Sequence, residues 1–219
     1  MQSESKIVRL DIKKRGENIA YIEGAGDVVP ESLRQIGYNV VTLAPNDITS
    51  ERLAAFDAVV VGIRAYNIVE ELKFKQDILF DFVEKGGNMI VQYNTSRRVD
   101  VGAPYDLRLS RDRVTDEFAE VRILEKNHAV LNFPNKITQN DFKGWVQERG
   151  LYFPNKWAKE FTPILSFQEN GDDPMDGSLL VAKYGEGYYI YTGLSFFREL
   201  PAGVPGAYKL FTNTIFYYL

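Results

Sequence analysis

The sequence predicts an α/β fold, a three-layer sandwich built on one mostly parallel sheet with antiparallel strands at its edge. Three observations carry that reading. Apolar, β-branched runs recur at residues 19–23, 39–44, 58–63 and 88–92, and such runs need cover on both faces, which helices on either side of a parallel sheet provide. Between them lie segments of helical spacing that stop at Gly37 and at the pair Gly86, Gly87. Further on, strand patterns at 178–184 and 188–192 flank Gly185, Glu186 and Gly187, which reads as a three-residue glycine hairpin.

Taken in order, the polar stretch 1–18 carries no structural signal, as expected of a domain excised from a longer protein, and residues 19–219 read as one domain. The first run, IAYIE, leads through Gly24, Ala25, Gly26 and Asp27 into a helix opened by Pro30, whose fixed φ suits a first helical turn. GAGD reads as a tight turn and not as a dinucleotide loop, because the third glycine of GxGxxG falls at Val29 with Pro30 directly after it. NVVTLA is the second strand, and Thr49 or Ser50 caps the short helix ERLAAF. DAVVVGI is the third. A helix over about 69–84 then turns Leu72, Leu79, Phe82 and Val83 inward before the fourth strand, within GGNMIVQ.

Regular alternation stops across 99–176, which reads as a loop-rich insertion lying against the sheet. Within it AEVRIL alternates as a half-exposed strand, Thr138 caps a turn through Phe142 and Trp145, and RGLYFPNKW is too aromatic and Pro-interrupted for a regular helix. Residues 161–167 read as a single strand, and AYKLFTNTIFYYL as an apolar helix that packs on the sheet or on another chain.

Composition excludes several function classes. With 219 residues, 45% of them hydrophobic, the chain can bury a substantial core. Its 26 Lys and Arg against 30 Asp and Glu argue against broad nucleic-acid binding while allowing local basic patches. Zero Cys removes disulfides, thiolate catalysis and Cys-ligated zinc, and a single His removes a multi-histidine zinc site. No run of 18 apolar residues suggests a membrane span, and the opening stretch lacks the apolar centre of a signal peptide. The compartment stays open between a cytoplasmic parent and a periplasmic or secreted one.

In open α/β sheets, ligands bind beyond the carboxyl ends of the strands. After the third and fourth runs those places are taken by Arg64, Tyr66 and Asn67, and by Tyr93, Asn94, Thr95, Arg97 and Arg98. Guanidinium and amide groups there suit a polyhydroxylated or anionic ligand, with Tyr66 offering an apolar face. The competing reading has Arg64 and Arg97 pairing with Asp100 or Asp106 to stiffen loops. Arg97, Arg98, Arg108, Arg111 and Arg113 form either an anion clamp or a solvated, internally paired loop. His128 is the one imidazole, so any histidine base or ligand is this residue, against a structural role. Tyr188, Tyr189 and Tyr191 read as packing, and Asp172, Asp173 and Asp176 as acids of a turn.

The succession DAVVVGIRAYN, helix, GGNMIVQYN and finally the hairpin YGEGYYIYTGLS resembles the flavodoxin-like, class I glutamine amidotransferase-like fold, in its trehalose-utilisation-like branch. In catalytic members a Cys nucleophile follows the strand that corresponds to 89–92, where this chain reads Gln92, Tyr93, Asn94. More specifically, IAYIEGAGDVVPESLRQIGYNV, GIRAYN, QYNTSRR, PYDLRLSRDRVTDE and GLSFFRELPAGVPGAYKLF are similar to the C-terminal region of long Bacteroidetes-type PIG-L (LmbE-like) deacetylases. The family's zinc motif, AHPDDE, lies in a separate N-terminal domain and is missing here, so the resemblance implies a chain with no catalytic residues, metal or cofactor of its own. It implies an accessory domain that binds carbohydrate or an anionic small molecule, or that packs on the deacetylase domain of the same parent chain. The alternative is a carbohydrate-processing hydrolase with a carboxylate or His128 centre.

Overall fold

The computed structural model describes residues 7–96, 102–169 and 171–216. Strand β1 (Asn18–Ile22) leads through the GAGD turn into helix α1 (Val29–Gln35) and strand β2 (Asn39–Leu43). Helix α2 (Ser50–Leu53) follows, its N-terminus capped by Thr49, whose side chain accepts from the Arg52 N–H. Strand β3 (Ala58–Val61) is followed by α3 (Ala65–Ile68), a 3-10 turn at Glu70–Phe74, α4 (Gln76–Glu84) and β4 (Asn88–Gln92). The helix expected over 69–84 is thus divided, with the 3-10 turn breaking it before Gln76.

The insertion is more regular than its sequence suggests. It holds β5 (Leu107–Val114) and β6 (Glu120–Ile123), then 3-10 turns at Ala129–Leu131 and Gln139–Phe142, then β7 (Gly150–Trp157). The run at 161–167 divides into β8 (Phe161–Pro163) and β9 (Leu165–Gln168), whose strands join different sheets. The chain closes with β10 (Leu179–Tyr184), β11 (Gly187–Thr192), α5 (Phe196–Glu199) and α6 (Pro205–Ile215). The β10–β11 hairpin has a two-residue loop, because Tyr184 pairs with Gly187, and Gly185 takes φ +60 in the turn.

The main sheet has seven strands in the order β2-β1-β3-β4-β11-β10-β8. β2, β1, β3, β4 and β11 are parallel, and β10 and β8 add antiparallel at the edge. Two small antiparallel pairs, β5-β7 and β6-β9, stand beside it. Alternation along the strands divides the core. Ile19, Tyr21, Val60 and Ile90 meet Leu33 of α1 and Leu210 and Phe211 of α6, while Ile22, Val59, Met89 and Val91 meet Leu53 of α2 and Leu79 and Val83 of α4. That is the three-layer α/β sandwich. Among the described residues no helix is long and apolar enough to cross a membrane.

Candidate functional site

The carboxyl ends of β3 and β4 form the mouth of the sheet. After β3, Arg64 turns the chain into α3 with left-handed dihedrals, φ 56 and ψ 20. A non-glycine residue there carries steric cost and needs its surroundings to hold it. They do so through the backbone: the Arg64 N–H donates to the Tyr93 carbonyl at 2.8 Å, and the Asn67 N–H donates to the Arg64 carbonyl at 2.9 Å.

The amide side chains expected at the site tie its loops together. The Thr95 N–H donates to Asn67 Oδ1 at 2.8 Å, and Asn67 Nδ2 donates back to the Thr95 carbonyl at 3.3 Å. Asn94 is fully buried; its Oδ1 accepts from the Tyr66 N–H, its Nδ2 donates to the Gln92 carbonyl, and its N–H donates to the Tyr191 hydroxyl. Tyr66 packs its ring against the core and donates its hydroxyl to Gln76 Oε1 at 3.0 Å. Asn67, Asn94 and Tyr66 therefore shape the mouth from behind.

What opens at the mouth is a cleft of about 480 Å³ lined by Arg64, Thr95, Ser96, Arg111 and Tyr152. A second cleft of about 580 Å³ shares Ser96 and Arg111 with it and runs on past Arg108, Ser110, Asp112 and Asn155. Together they make one groove between the loop after β4 and the β5-β7 pair.

Irregular pairing of β5 and β7 supplies the groove's side chains. Register runs Arg108 to Lys156, Leu109 to Pro154, Asp112 to Phe153 and Arg113 to Leu151. Asn155, Ser110, Arg111 and Tyr152 are left without a ladder partner, and all four line the groove. Bulges of this kind bend a strand and re-aim its side chains. Ser110 holds the wider bulge closed, donating its hydroxyl to the Phe153 carbonyl and accepting from the Asp112 N–H, both at 2.7 Å.

Behind the groove the Tyr152 ring lies parallel to Tyr93, centroids 6.1 Å apart at 8°, and Tyr93 packs on Phe197 at 5.2 Å. Burial pushes the Tyr93 phenol up, opposed by the neighbouring Arg64 guanidinium. Glu148 receives Arg198 at 2.9 Å and Arg113 at 3.2 Å, so Arg113 is one member of the basic cluster that is paired. Tyr152 and Gln147, next to this pair, have φ 53 and φ 67; with Arg64 they are the left-handed non-glycine residues among the described residues. Backbone strain of this kind clusters at ligand sites.

The GAGD turn is filled by its own acid. Asp27 accepts from the Tyr21 hydroxyl at 2.7 Å, from the Val29 N–H at 2.9 Å and from the Ile63 N–H at 3.3 Å, occupying the place a phosphate would take. Burial first, then the Asp27 charge, holds the Tyr21 phenol well above its usual 10, so it remains a neutral donor.

His128 is not at the mouth. Two residues on, the Val130 carbonyl accepts from Asn213, in the last turns of α6, and the Ile215 carbonyl accepts from Asn88 at the start of β4. His128 thus sits toward the amino edge of the sheet, capping a 3-10 turn with Nδ1 accepting from the Val130 N–H, and burial lowers its pKa. Arg97 and Arg98 lie outside the described residues. Of the expected strand-end residues described, Arg64 and Thr95 line the groove, and Arg108 and Arg111 of the basic cluster join them; Ser96 and Tyr152 complete the first cleft. Of these, Arg111 belonged to a visible basic cluster, whereas nothing in RGLYFPNKW singles out Tyr152. Among the described residues no three His, Asp or Glu gather as a metal site.

A scan of family models gives no match, and neither does a search of curated proteins. Solved structures do match. A GMP synthase-type protein of Thermoplasma acidophilum superposes with TM-score 0.55 at 13% identity, over 93% of this chain and 94% of that one. A ThuA-like protein of Bacteroides uniformis gives 0.54 at 11%, over 97% and 94%. The fold is glutamine amidotransferase-like. A cold-adapted β-galactosidase of Rahnella sp. R3 matches this amidotransferase-like domain at TM-score 0.50 and 15% identity, over 93% of this chain but 31% of that one. The same architecture thus also occurs as a segment of a larger chain.

Proposed function

We propose that this amidotransferase-like domain is a non-catalytic carbohydrate-binding module of a PIG-L (LmbE-like) deacetylase acting on N-acetylglucosamine-type sugars, presenting glycan to a zinc domain on the same parent chain. The observation that carries the reading is the strand-end groove. It offers guanidinium and hydroxyl groups beside the Tyr152 ring, the mixture of directional donors and apolar face that a sugar requires, and a chain without Cys brings no thiol nucleophile to it. The similarity of IAYIEGAGDVVPESLRQIGYNV and QYNTSRR to the C-terminal region of that family supports the parent assignment. The hydrolase alternative has less to stand on: His128 lies toward the opposite edge of the sheet, and Glu148, behind Tyr93, is engaged by two arginines.

Calorimetric titration of the chain with N-acetylglucosamine oligosaccharides, and deacetylation rates of the zinc domain with and without this domain, test the proposal. Binding that Tyr152→Ala weakens, together with slower deacetylation of polymeric substrate when the domain is removed, is the expected result. Absence of glycan binding, or acetate release by the chain alone, overturns it.

A further inference from the structure

The groove's charges are one-sided. Arg64 and Arg111 both line the first cleft, and among the described residues no carboxylate lines it with them. Among the described residues neither guanidinium makes a hydrogen bond or ion pair, and there the buried Arg64 Nε has no partner. Arg113, two residues from Arg111, does pair, with Glu148, so the basic segment is divided into one arginine that is satisfied and one that is not. Where the groove continues, Asp112 balances Arg108, and Arg111 remains as the excess positive charge.

Donor chemistry then limits the ligand. A guanidinium carries five N–H donors and no acceptor, so two of them in one cleft call for acceptor oxygens in number. A neutral sugar brings hydroxyls that must donate as well as accept, and the first cleft offers them only Thr95 and Ser96 side chains and the Tyr152 phenol as acceptors besides backbone. A carboxylate or sulfate is acceptor only, matches the guanidinium fork bidentately, and gives the buried Arg64 Nε the partner it lacks. The backbone is arranged to keep these groups there: Arg64 is held left-handed by Tyr93, and Arg111 and Tyr152 leave the ladder at bulges.

We propose that the groove takes an acidic saccharide, with Arg64 and Arg111 gripping its carboxylate or sulfate and the Tyr152 ring lying against the sugar. This rests on the carbohydrate reading above and sharpens it to a charge class. Arg111 is on the exposed rim, where it adds attraction that salt screens, whereas Arg64 is the partly buried contact that fixes orientation.

Four probes test this by calorimetry at 50 and 300 mM NaCl: trigalacturonate, a 6-O-sulfated N-acetylglucosamine disaccharide, neutral chitotriose and inorganic sulfate. At least one acidic saccharide is expected to bind tenfold or more tightly than chitotriose at low salt, and to weaken severalfold at high salt. Arg111→Gln, at an exposed position with no partner among the described residues, is expected to remove most of that acidic-over-neutral preference, and Arg64→Gln to remove it as well. The acidic probe that binds identifies the anion as carboxylate or sulfate. Equal binding of neutral and acidic sugars overturns the charge class and leaves the carbohydrate reading standing; binding of no sugar overturns both. Acidic binding indifferent to Arg111→Gln overturns the assigned site, and inorganic sulfate binding as tightly as the acidic sugars overturns the saccharide.

Discussion

Asn67 and Thr95 pair as though they belonged to adjacent strands: the side-chain amide of the first takes both the N–H, at 2.8 Å, and the carbonyl, at 3.3 Å, of the second. One side chain thereby extends the link between β3 and β4 beyond the ends of both strands and fixes the loop that supplies Thr95 and Ser96 to the groove.

Asn67→Ala removes both bonds and leaves part-buried backbone groups on Thr95 unpaired. A loss of about 1–2 kcal/mol is expected in urea denaturation, since a hydrogen bond contributes about 1 kcal/mol net and an unsatisfied partner costs more. Hydrogen exchange at the Thr95 amide should accelerate with it. An unchanged midpoint and unchanged exchange would show that the strut is idle.

Glu199 supplies a pH dependence. It is fully buried, and burial pushes its carboxyl from 4.5 up to about 7 against hydrogen bonds from the Val146 N–H and the Ser195 hydroxyl and the nearby Arg149 charge. Between those two values the unfolded chain has released a proton that the folded chain retains. This group therefore lowers stability as pH rises from about 4.5 to about 7, by an amount on the order of 3 kcal/mol at about 1.4 kcal/mol per unit. Glu199→Gln keeps an acceptor for Val146 and should flatten the slope in that window, raising stability most at pH 7 and above. Parallel stability–pH profiles for the two proteins would contradict the burial argument.

Glycines near the mouth separate two kinds of constraint. At Gly24 an added Cβ falls 2.1 Å from the Ile63 carbonyl oxygen and 2.8 Å from the Ala65 nitrogen, so Gly24→Ala must push the β1 and β3 loops apart. Overpacking of that kind costs about 2–3 kcal/mol. Gly26, at φ +86 with nothing within 4 Å of its Cβ position, presents only the left-handed penalty, about 1–2 kcal/mol for Gly26→Ala. Thermal midpoints measured side by side should rank Gly24→Ala below Gly26→Ala, and the reverse order would refute the contact.

The parallel half of the sheet was legible because β1, β3 and β4 are buried along nearly their whole length on both faces, and burial on both faces writes an uninterrupted apolar run. β2, at the edge and half exposed, shows the same pattern more weakly, with Asn39 and Thr42 among its five residues. The groove was not legible. LRLSRDRV loses its two-residue alternation where Ser110 and Arg111 bulge out, and GLYFPNKW carries Pro154 within its strand, so neither shows a strand period, and their pairing joins residues 36 to 50 positions apart. Arg64 was visible because it follows a legible strand. Asn67 and Asn94 also follow legible strands, yet an amide that binds loops and an amide that binds ligand look alike until its partners are seen.

The bulged register of β5 and β7 also separates recognition from scaffold. Asn155, Arg111 and Tyr152 contribute no cross-strand partner to the ladder, so exchanging their side chains leaves the pairing between Arg108 and Lys156, Asp112 and Phe153, and Arg113 and Leu151 in place. Ligand preference can therefore be re-engineered at those three positions without touching the hydrogen-bonded ladder of the seven-stranded sheet.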